Sequence, residues 1–300
     1  MRISLARAGE APFFPAPATV RAGDYVFSSS IYPVDSRGRL IEPDAGLGAN
    51  GPSRIAVQTR ACLDTLAEVL RKGGSSLALV LKADVHLADA ADFLEFKYVW
   101  REFFPQDPPA RATVEVGDTF PIPGTLLNID VVALASDSTI KREVLTDPAG
   151  NDPLEAEWAP HAIRAGNMVF CSAFTASDFE KGIAVGRMPG FPNYGSDAEM
   201  QAQYVFERLN RVLAGAGTSL NQAVESQIYE PDLSTFHDVD AVWSRFMPSP
   251  PCRSSMGVQG LITPGACFVP NLTVLVPDEE HKREESFEGL SWHPVQVRKV

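Results

Sequence analysis

Two arginines occupy matching positions in a motif that occurs twice in the chain. Arg111 follows Pro109-Ala110, and Arg253 follows Pro251-Cys252. A guanidinium presents a rigid fork of donors that matches a carboxylate in bidentate fashion, and its charge does not titrate near neutral pH. The commoner fate of an arginine is an ion pair with a neighbouring acid. The double occurrence in one motif favours ligand binding at both positions.

The motif belongs to an internal repeat that covers most of the chain. A shift of 143 residues places Arg21-Ala22-Gly23 on Arg164-Ala165-Gly166, and it places Trp100 on Trp243. A constant offset held over so long a stretch indicates two copies of one structural unit. We therefore divide the chain into a first domain (1–137), a linker (138–157), a second domain (158–277) and a charged tail (278–300).

Helical and extended patterns alternate within each repeat. Residues 58–72 carry apolar side chains at helical spacing and end at two glycines, which predicts an amphipathic helix. Residues 77–87 alternate with period two, with Lys82, Asp84 and His86 on the polar face, which predicts a half-buried strand. An aromatic stripe beginning at Phe93 predicts a second helix that packs on a sheet. The predicted order is β-β-α-β-α-β-β, an α+β fold.

The composition predicts a globular, acidic protein. The chain has 26 Lys+Arg against 38 Asp+Glu, for a formal net charge of −12, and 45% of its residues are hydrophobic. Such a charge repels polyphosphate and no dense basic cluster offsets it, so we expect no nucleic-acid partner. No run of about 18 apolar residues and no signal-like segment occurs, so we expect no membrane partner and a cytoplasmic location.

Metal and cofactor motifs are absent from the sequence. No two histidines have metal-ligand spacing, and the four cysteines lie far apart without CxxC spacing, so we predict no metal and reduced thiols. The sequence has neither a glycine-rich phosphate loop nor a GxSxG motif. We therefore predict no cofactor.

The motifs resemble those of the RidA/YjgF family, also known as endoribonuclease L-PSP. The resemblance rests above all on 109–116 (PARATVEV) and 23–33 (GDYVFSSSIYP), and both repeats match over nearly their full length. It implies two tandem domains with the Bacillus chorismate-mutase fold, each a mixed β-sheet with two helices packed on one face. Because such domains associate in threes with a cleft at each interface, it also implies a homo-oligomer of trimer type.

The resemblance also implies an activity and a set of binding residues. Characterised members hydrolyse imines and enamines, such as 2-aminoacrylate, to keto acids and ammonia, and relatives deaminate 2-aminomuconate. The family arginine that holds the substrate carboxylate falls on Arg111 and Arg253. The family's serine-containing segment falls on Ser29 and Ser172, whose hydroxyl or backbone groups could contact the substrate or simply pack at a strand end.

The sequence departs from the family where the general base should be. Deaminating members carry a glutamate on the last strand, and here Asn128 and Asn271 stand at that position of the two repeats. An amide can orient a water or donate to an oxyanion, but it does not ionise near pH 7 and cannot act as a general base. His161 lies in a family-matched site neighbourhood and could titrate near neutrality, although a lone histidine is more often structural. The base is therefore unassigned.

Three functions remain open on the sequence alone. The first is hydrolytic deamination of an imine, an enamine or a 2-aminomuconate-type carboxylate, with ammonia as a product. The second is hydrolysis of a larger unsaturated carboxylate, as in the chorismatases, which are more distant tandem relatives. The third is a non-catalytic protein that binds a small carboxylate or holds an assembly together, which the loss of both glutamates favours. In each case the expected partner is a small-molecule carboxylate.

Overall fold

The computed structural model describes residues 16–46, 51–148, 158–178, 182–183 and 195–285. The beginning of the predicted first domain, the end of the predicted linker and most of the predicted tail lie outside these residues. Within the described part of the chain, the two repeats form two similar α+β units, which confirms the predicted fold class.

The first repeat follows the predicted element order. Its elements are β1 (Thr19–Ala22), β2 (Tyr25–Ser28), α1 (Arg54–Lys72), β3 (Val80–Leu87), α2 (Phe93–Phe103), β4 (Ala110–Glu115) and β5 (Leu127–Leu134). The strands form a sheet in the order β1-β2-β5-β3-β4, in which β3 and β4 run parallel and the other pairs run antiparallel. Both helices pack on one face of this sheet around Leu63, Leu66, Phe96 and Trp100, all fully buried.

Helix α1 begins one turn before the predicted start. The side chain of Ser53 accepts a hydrogen bond from the Ala56 N–H and so satisfies one of the free donors of the first turn. The helix ends where predicted, at Gly73, and Gly74 follows with a φ of +78°, a left-handed conformation that glycine adopts without steric cost. Local capping chemistry, which the apolar periodicity does not report, therefore sets the first residue.

The second repeat rebuilds the same unit with an added edge strand. Its elements are β6 (Arg142–Leu145), β7 (Ala162–Ala165), β8 (Met168–Cys171), β9 (Ser177–Asp178), β10 (Gly182–Ile183), α3 (Asp197–Gly215), β11 (Ala223–Glu230), α4 (Phe236–Phe246), β12 (Cys252–Gly257), β13 (Gly260–Leu261) and β14 (Val269–Leu275). The second sheet has the order β12-β11-β14-β8-β7-β6. Strand β6 comes from the segment predicted as a linker, and β13 leaves its own repeat to pair with β4 of the first sheet.

The two sheets pack face to face on the sides that their helices leave open. One apolar cluster joins Leu81 and Leu134 to Ile163 and Phe170, and a second joins Ala112 and Val114 of β4 to Tyr229, Leu261 and Val269. The predicted half-buried strand is therefore wrong in two respects. Residues 77–79 form a 3-10 turn, and the polar face of β3 lies against the second sheet, where Lys82 is only 5% exposed.

Replacing Leu66 by alanine tests the packing of the helices on the first sheet. Leu66 is fully buried, so we expect Leu66→Ala to lower the free energy of unfolding by about 2–5 kcal/mol through lost burial and a residual cavity. The matched control is Leu94→Ala on α2, because Leu94 is 57% exposed and its truncation should change stability by less than about 0.5 kcal/mol. Urea unfolding followed by circular dichroism measures both, and equal effects would contradict the packing described.

Candidate functional site

The guanidinium of Arg111 lies against the aromatic side of helix α2. Strand β4 points this side chain toward the helices, where its central carbon is 5.3 Å from the ring centres of Phe93 and Trp100 and 5.5 Å from that of Phe96. Its Nε donates to Thr113 Oγ1 at 3.0 Å. The predicted aromatic stripe therefore serves both as core and as the wall on which the arginine rests, a favourable placement for a cation.

The second repeat completes the surroundings of Arg111. The backbone N–H of Arg111 donates to Ser172 Oγ at 3.0 Å, and its carbonyl accepts from the Ala173 N–H at 3.1 Å. The carbonyl of Trp158 lies 3.5 Å from Nη1 of the same arginine. The Ser172 hydroxyl gives its proton to Pro160 O at 2.5 Å. Ser172 therefore holds the two repeats together, and its proton is already used by the protein.

Arg253 repeats the arrangement of Arg111 in the second unit. Its central carbon is 4.9 Å from the Phe236 ring centre and 4.6 Å from that of Trp243, and Nε donates to Ser255 Oγ at 3.1 Å. Nη1 forms an ion pair with Asp240, and Nη2 is buried without a hydrogen-bond partner among the described residues. Its side chain is 17% exposed, whereas the Arg111 residue is 3% exposed. Arg253 thus offers a donor that the described chain does not use.

Ser29 has the same local contacts as Ser172, but none of its contacts among the described residues is with an arginine. Its hydroxyl donates to Pro17 O at 2.7 Å, and its N–H donates to Ala18 O at 3.0 Å. Ser29 is half-buried, and Ser30 beside it is exposed. The matching arginine edge, strand β12, is largely exposed as well. The junction that is closed inside the chain around Arg111 is therefore open around Arg253.

The two asparagines lie on the other face of their sheets, away from the arginines. Asn128 Oδ1 is 2.8 Å from His86 Nδ1, and Asn271 Nδ2 donates to Asp84 Oδ1 at 3.0 Å. Successive side chains of a strand point to opposite faces, and both asparagines alternate with residues of the helix-facing cores. The structure thus does not bring either asparagine to the arginine of its own repeat.

His161 is a buried structural contact in the described structure. Its Nδ1 accepts a hydrogen bond from the Asp147 N–H at 3.2 Å, which requires that nitrogen to be unprotonated, and its ring lies edge-on to Phe174 at 5.4 Å. Asp147 pairs with Arg208 at 3.3 Å and Arg211 at 2.8 Å. No described contact joins the His161 ring to Arg111, although its backbone carbonyl accepts from the Ser172 N–H at 2.8 Å.

A polar cluster, which no motif in the sequence predicts as a unit, fills part of the space between the sheets. Lys82, Asp84, Glu225, Gln227 and Asn271 line a cavity of about 280 Å³, whose other walls are mostly apolar. Burial lowers the pKa of Lys82, whose amine donates to the carbonyl of Cys171, although Asp84 and Glu225 oppose this shift. The period-two pattern of β3 is the sequence signal for this polar face. The pattern does not show whether water or a second sheet covers that face.

Asp130 lies beside this cluster, across from Asp84 in the sheet, and carries a strongly shifted carboxyl. Burial raises its pKa to about 6, the charge of Asp84 adds to the increase, and His86 opposes it. Asp84 and Asp130 are directly paired on β3 and β5, so the two acids cannot both ionise without repulsion. A partly protonated acid therefore sits between the sheets near neutral pH.

Glu230 is a second residue that sequence reasoning missed. It ends strand β11, is 0% exposed, and neither carboxylate oxygen has a hydrogen-bond partner among the described residues. The matching residue of the first repeat is Leu87. Comparing the repeats position by position for differences in charge, and not only for identities, could have found it.

The described residues contain neither a candidate metal site nor a candidate membrane-spanning helix. Among them, no group of three or more His, Cys, Asp or Glu side chains could hold a metal ion. Nor is any helix in this part of the chain both long enough and apolar enough to span a bilayer. Cys62 and Cys171 are buried free thiols whose pKa burial raises.

Comparison with known proteins assigns both repeats to one sequence family. The model of the family described as "Endoribonuclease L-PSP" matches residues 11–135 and again 151–268. A RutC family protein of Sulfurisphaera tokodaii is 35% identical over 106 residues, which cover 35% of this chain and 77% of that protein. The 3-aminoacrylate deaminase RutC of Acinetobacter baylyi is 33% identical over 107 residues, covering 36% of this chain and 75% of the relative.

Solved structures match single repeats. The crystal structure of E. coli TdcF with bound serine aligns with a TM-score of 0.36 and 24% identity, covering 45% of this chain and all of the TdcF chain. Each curated relative above likewise corresponds to about one repeat of this chain.

Substituting Asp130 by asparagine tests the pKa shift between the sheets. A folded-state pKa of about 6 lies above the unfolded value near 3.9, so the native state holds its proton longer and the Asp130 contribution falls as pH rises between these values. We expect Asp130→Asn to be more stable than the wild type at pH 7, with the difference shrinking toward pH 4. Thermal unfolding at both pH values measures this, with exposed Asp118→Asn as control. A constant difference between the two proteins would contradict the shift.

Proposed function

Because the chain belongs to the endoribonuclease L-PSP family, whose RidA/YjgF motifs both repeats carry, we propose that it is a hydrolytic deaminase of small imine or enamine carboxylates. The relative named 3-aminoacrylate deaminase supports this choice of chemistry. The observation that carries it is the unused Nη2 donor of Arg253, held on two aromatic rings at the place where the first repeat holds Arg111.

The arrangement suits a small anion with a planar carboxylate. The rings of α4 fix the plane of the Arg253 guanidinium, Ser255 takes Nε and Asp240 takes Nη1, so that the guanidinium cannot turn away from an incoming ligand. A charged hydrogen bond formed out of bulk water is stronger than one formed in it. A substrate whose carboxylate is bound to Arg253 Nη2 has its adjacent C=N carbon held in one position, where water can attack it.

The second candidate is a non-catalytic carboxylate-binding protein. It is favoured by Asn128 and Asn271, which replace the family glutamate and lie on the face away from the arginines. A binder of this kind would gain thermal stability from a carboxylate without consuming it. Turnover therefore separates the two candidates.

Ammonia release from 2-iminobutyrate generated in situ tests the deaminase proposal. We expect the wild type to release ammonia, and Arg253→Ala to lower kcat/KM about 10- to 100-fold, as the loss of a charged hydrogen bond of about 1.5–3 kcal/mol implies. Arg111→Ala tests the first repeat in the same assay, and Arg245→Ala on the exposed side of α4 is the matched control. Circular dichroism confirms folding, and a wild type that releases no ammonia contradicts the proposal.

We also propose that copies of the chain associate head to tail. Inside the chain, strand β4 of the first repeat is covered by Ser172, Ala173 and β13. The counterpart of β4 in the second repeat is β12, and the counterpart of Ser172-Ala173 in the first repeat is Ser29-Ser30. Strand β12 is largely exposed, Ser29 is half-buried and Ser30 is exposed. An open strand edge is a site for pairing with another chain. Pairing β12 of one copy with the Ser29 segment of the next would close the Arg253 site as the Arg111 site is closed, in an assembly of trimer type.

A charged side chain introduced at Phe27, beside the proposed contact between copies, tests this assembly. Phe27 is 42% exposed and lines the inter-sheet cavity, so Phe27→Lys should place a charge in the proposed contact and lower the molar mass measured by light scattering to that of one chain. Leu94→Lys, at an apolar residue on α2 that is 57% exposed, should leave the mass unchanged. A wild type that is already monomeric, or a Phe27→Lys oligomer, would rule the assembly out.

The expected cytoplasmic location and the expected absence of a nucleic-acid partner stay predictions. A Schizosaccharomyces pombe relative, 34% identical over 122 residues, is named protein mmf1, mitochondrial. The formal charge of −12 still opposes RNA binding.

A further inference from the structure

A fully buried carboxylate at the end of β11 has no partner in the described protein. Glu230 is 0% exposed, and neither Oε1 nor Oε2 has a hydrogen-bond partner. Burying an unpaired carboxyl group costs several kcal/mol, so natural proteins seldom keep one without a use.

The fold itself does not require an acid at this position. The first repeat has Leu87 at the matching place, equally buried, within the core under its own helices. The backbone carbonyl of this residue accepts an equivalent hydrogen bond in both repeats, from Val116 N–H to Leu87 O and from Val258 N–H to Glu230 O. Leucine therefore fits this backbone, and the glutamate is an addition specific to the second repeat.

Glu230 and Arg253 lie on the same face of the second sheet. Strands β11 and β12 are parallel, with Ser226 opposite Arg253 and Glu230 opposite Gly257. Side chains at every second position share a face, so Glu230 and the Arg253 guanidinium both point to the helix side. Gly257 places no side chain between the carboxylate and the end of β12.

The two groups are unsatisfied in complementary ways. Arg253 Nη2 is a donor without an acceptor, and Glu230 offers two acceptor oxygens without a donor. They do not satisfy one another, since all three atoms lack a hydrogen-bond partner among the described residues, and the ion pair of Arg253 with Asp240 uses Nη1. A ligand with a carboxylate at one end and an N–H group next to it would satisfy both.

We infer that the second repeat binds an amino or imino acid, with the ligand carboxylate on Arg253 Nη2 and its nitrogen donating to Glu230, and that Glu230 moves the protons of hydrolysis. The catalytic part of this inference rests on the proposed function. The first repeat has Leu87 at the matching position and lacks this acid-base group.

The proton transfers balance with water as the co-reactant. As the water oxygen bonds to the iminium carbon, Glu230 takes a water proton, and it then gives this proton to the nitrogen. The C–N bond breaks as the new hydroxyl returns its proton to Glu230, which gives it to the departing ammonia. The products are the keto acid and ammonium, and Glu230 ends ionised as it began.

The charged groups around Glu230 suit both directions of transfer. Burial raises the pKa of its carboxyl above the ordinary value, Asp240 and Asp232 add to the increase, and Arg253 opposes it. Cys267 also lies near enough for Glu230 to contribute to its raised pKa. A raised pKa brings a glutamate closer to neutrality, where a general acid-base group is most effective.

Binding of two stable probes separates this role from a structural one. L-2-aminobutyrate has both a carboxylate and a nitrogen, and 2-oxobutyrate has only the carboxylate. By calorimetry we expect Glu230→Leu to weaken the binding of L-2-aminobutyrate at least about 10-fold and to change the affinity for 2-oxobutyrate less than about threefold. The Tm of this variant should not fall, because leucine is the native residue of the first repeat. Glu225→Gln, on the opposite face of the same strand, is the matched control.

The kinetic arm uses Glu230→Gln, which keeps the shape of the side chain. We expect kcat for ammonia release to fall about 100-fold or more with KM little changed, as loss of a general acid-base group predicts. Ammonia release that persists at the wild-type rate in Glu230→Gln overturns the inference and leaves the proposed function standing. A wild type that releases no ammonia but distinguishes the probes through Glu230 supports the site and overturns the deaminase. The proposed site is overturned if Glu230→Leu weakens the binding of both probes equally, or if the wild type does not bind L-2-aminobutyrate.

Discussion

The backbone pairing of β4 with the second repeat is the contact on which the rest of the structure depends. Arg111 bonds through its N–H to Ser172 and through its carbonyl to Ala173, and β13 continues the pairing at Val114 and Glu115. These bonds set the two sheets face to face, which buries apolar surface from both repeats. They also fix the strand that carries Arg111, so that the candidate site and the junction between the repeats share the same hydrogen bonds. A single repeat would leave β4 as an open edge.

The two repeats have kept a common frame and have diverged in charge. Each places an arginine on a tryptophan and a phenylalanine of the preceding helix, with a hydroxyl on Nε. The second repeat then has Asp240 where the first has Lys97, and Glu230 where the first has Leu87. Such differences change the ligand that a site can hold while leaving the fold alone. The second unit has the more polar surroundings for its arginine, and its edge strand β12 is largely exposed.

Polar groups between the sheets show how strongly the tertiary contact changes the meaning of a residue. Lys82, Asp84 and Asp130 would be ordinary surface residues on an isolated repeat. Packing of the second sheet removes water from them, lowers the pKa of the lysine and raises that of Asp130. The amine is satisfied by the Cys171 carbonyl and Asp84 by Asn271, both from the other repeat. The junction is thus specific as well as apolar, because only the correct register satisfies these groups.

The sequence by itself determined the duplication, the element order and the two arginines, because these depend on local periodicity and on matching motifs. It also identified the aromatic stripe, since helical spacing reports one face of a helix without knowledge of its neighbours. Only the tertiary structure decided that Asn128 and Asn271 face away from the arginines, that His161 is a packed contact, and that β3 is buried on both sides. It alone showed Glu230 to be buried without a partner. Each of these depends on what lies across the sheet from a residue, and strand periodicity reports only that two faces exist.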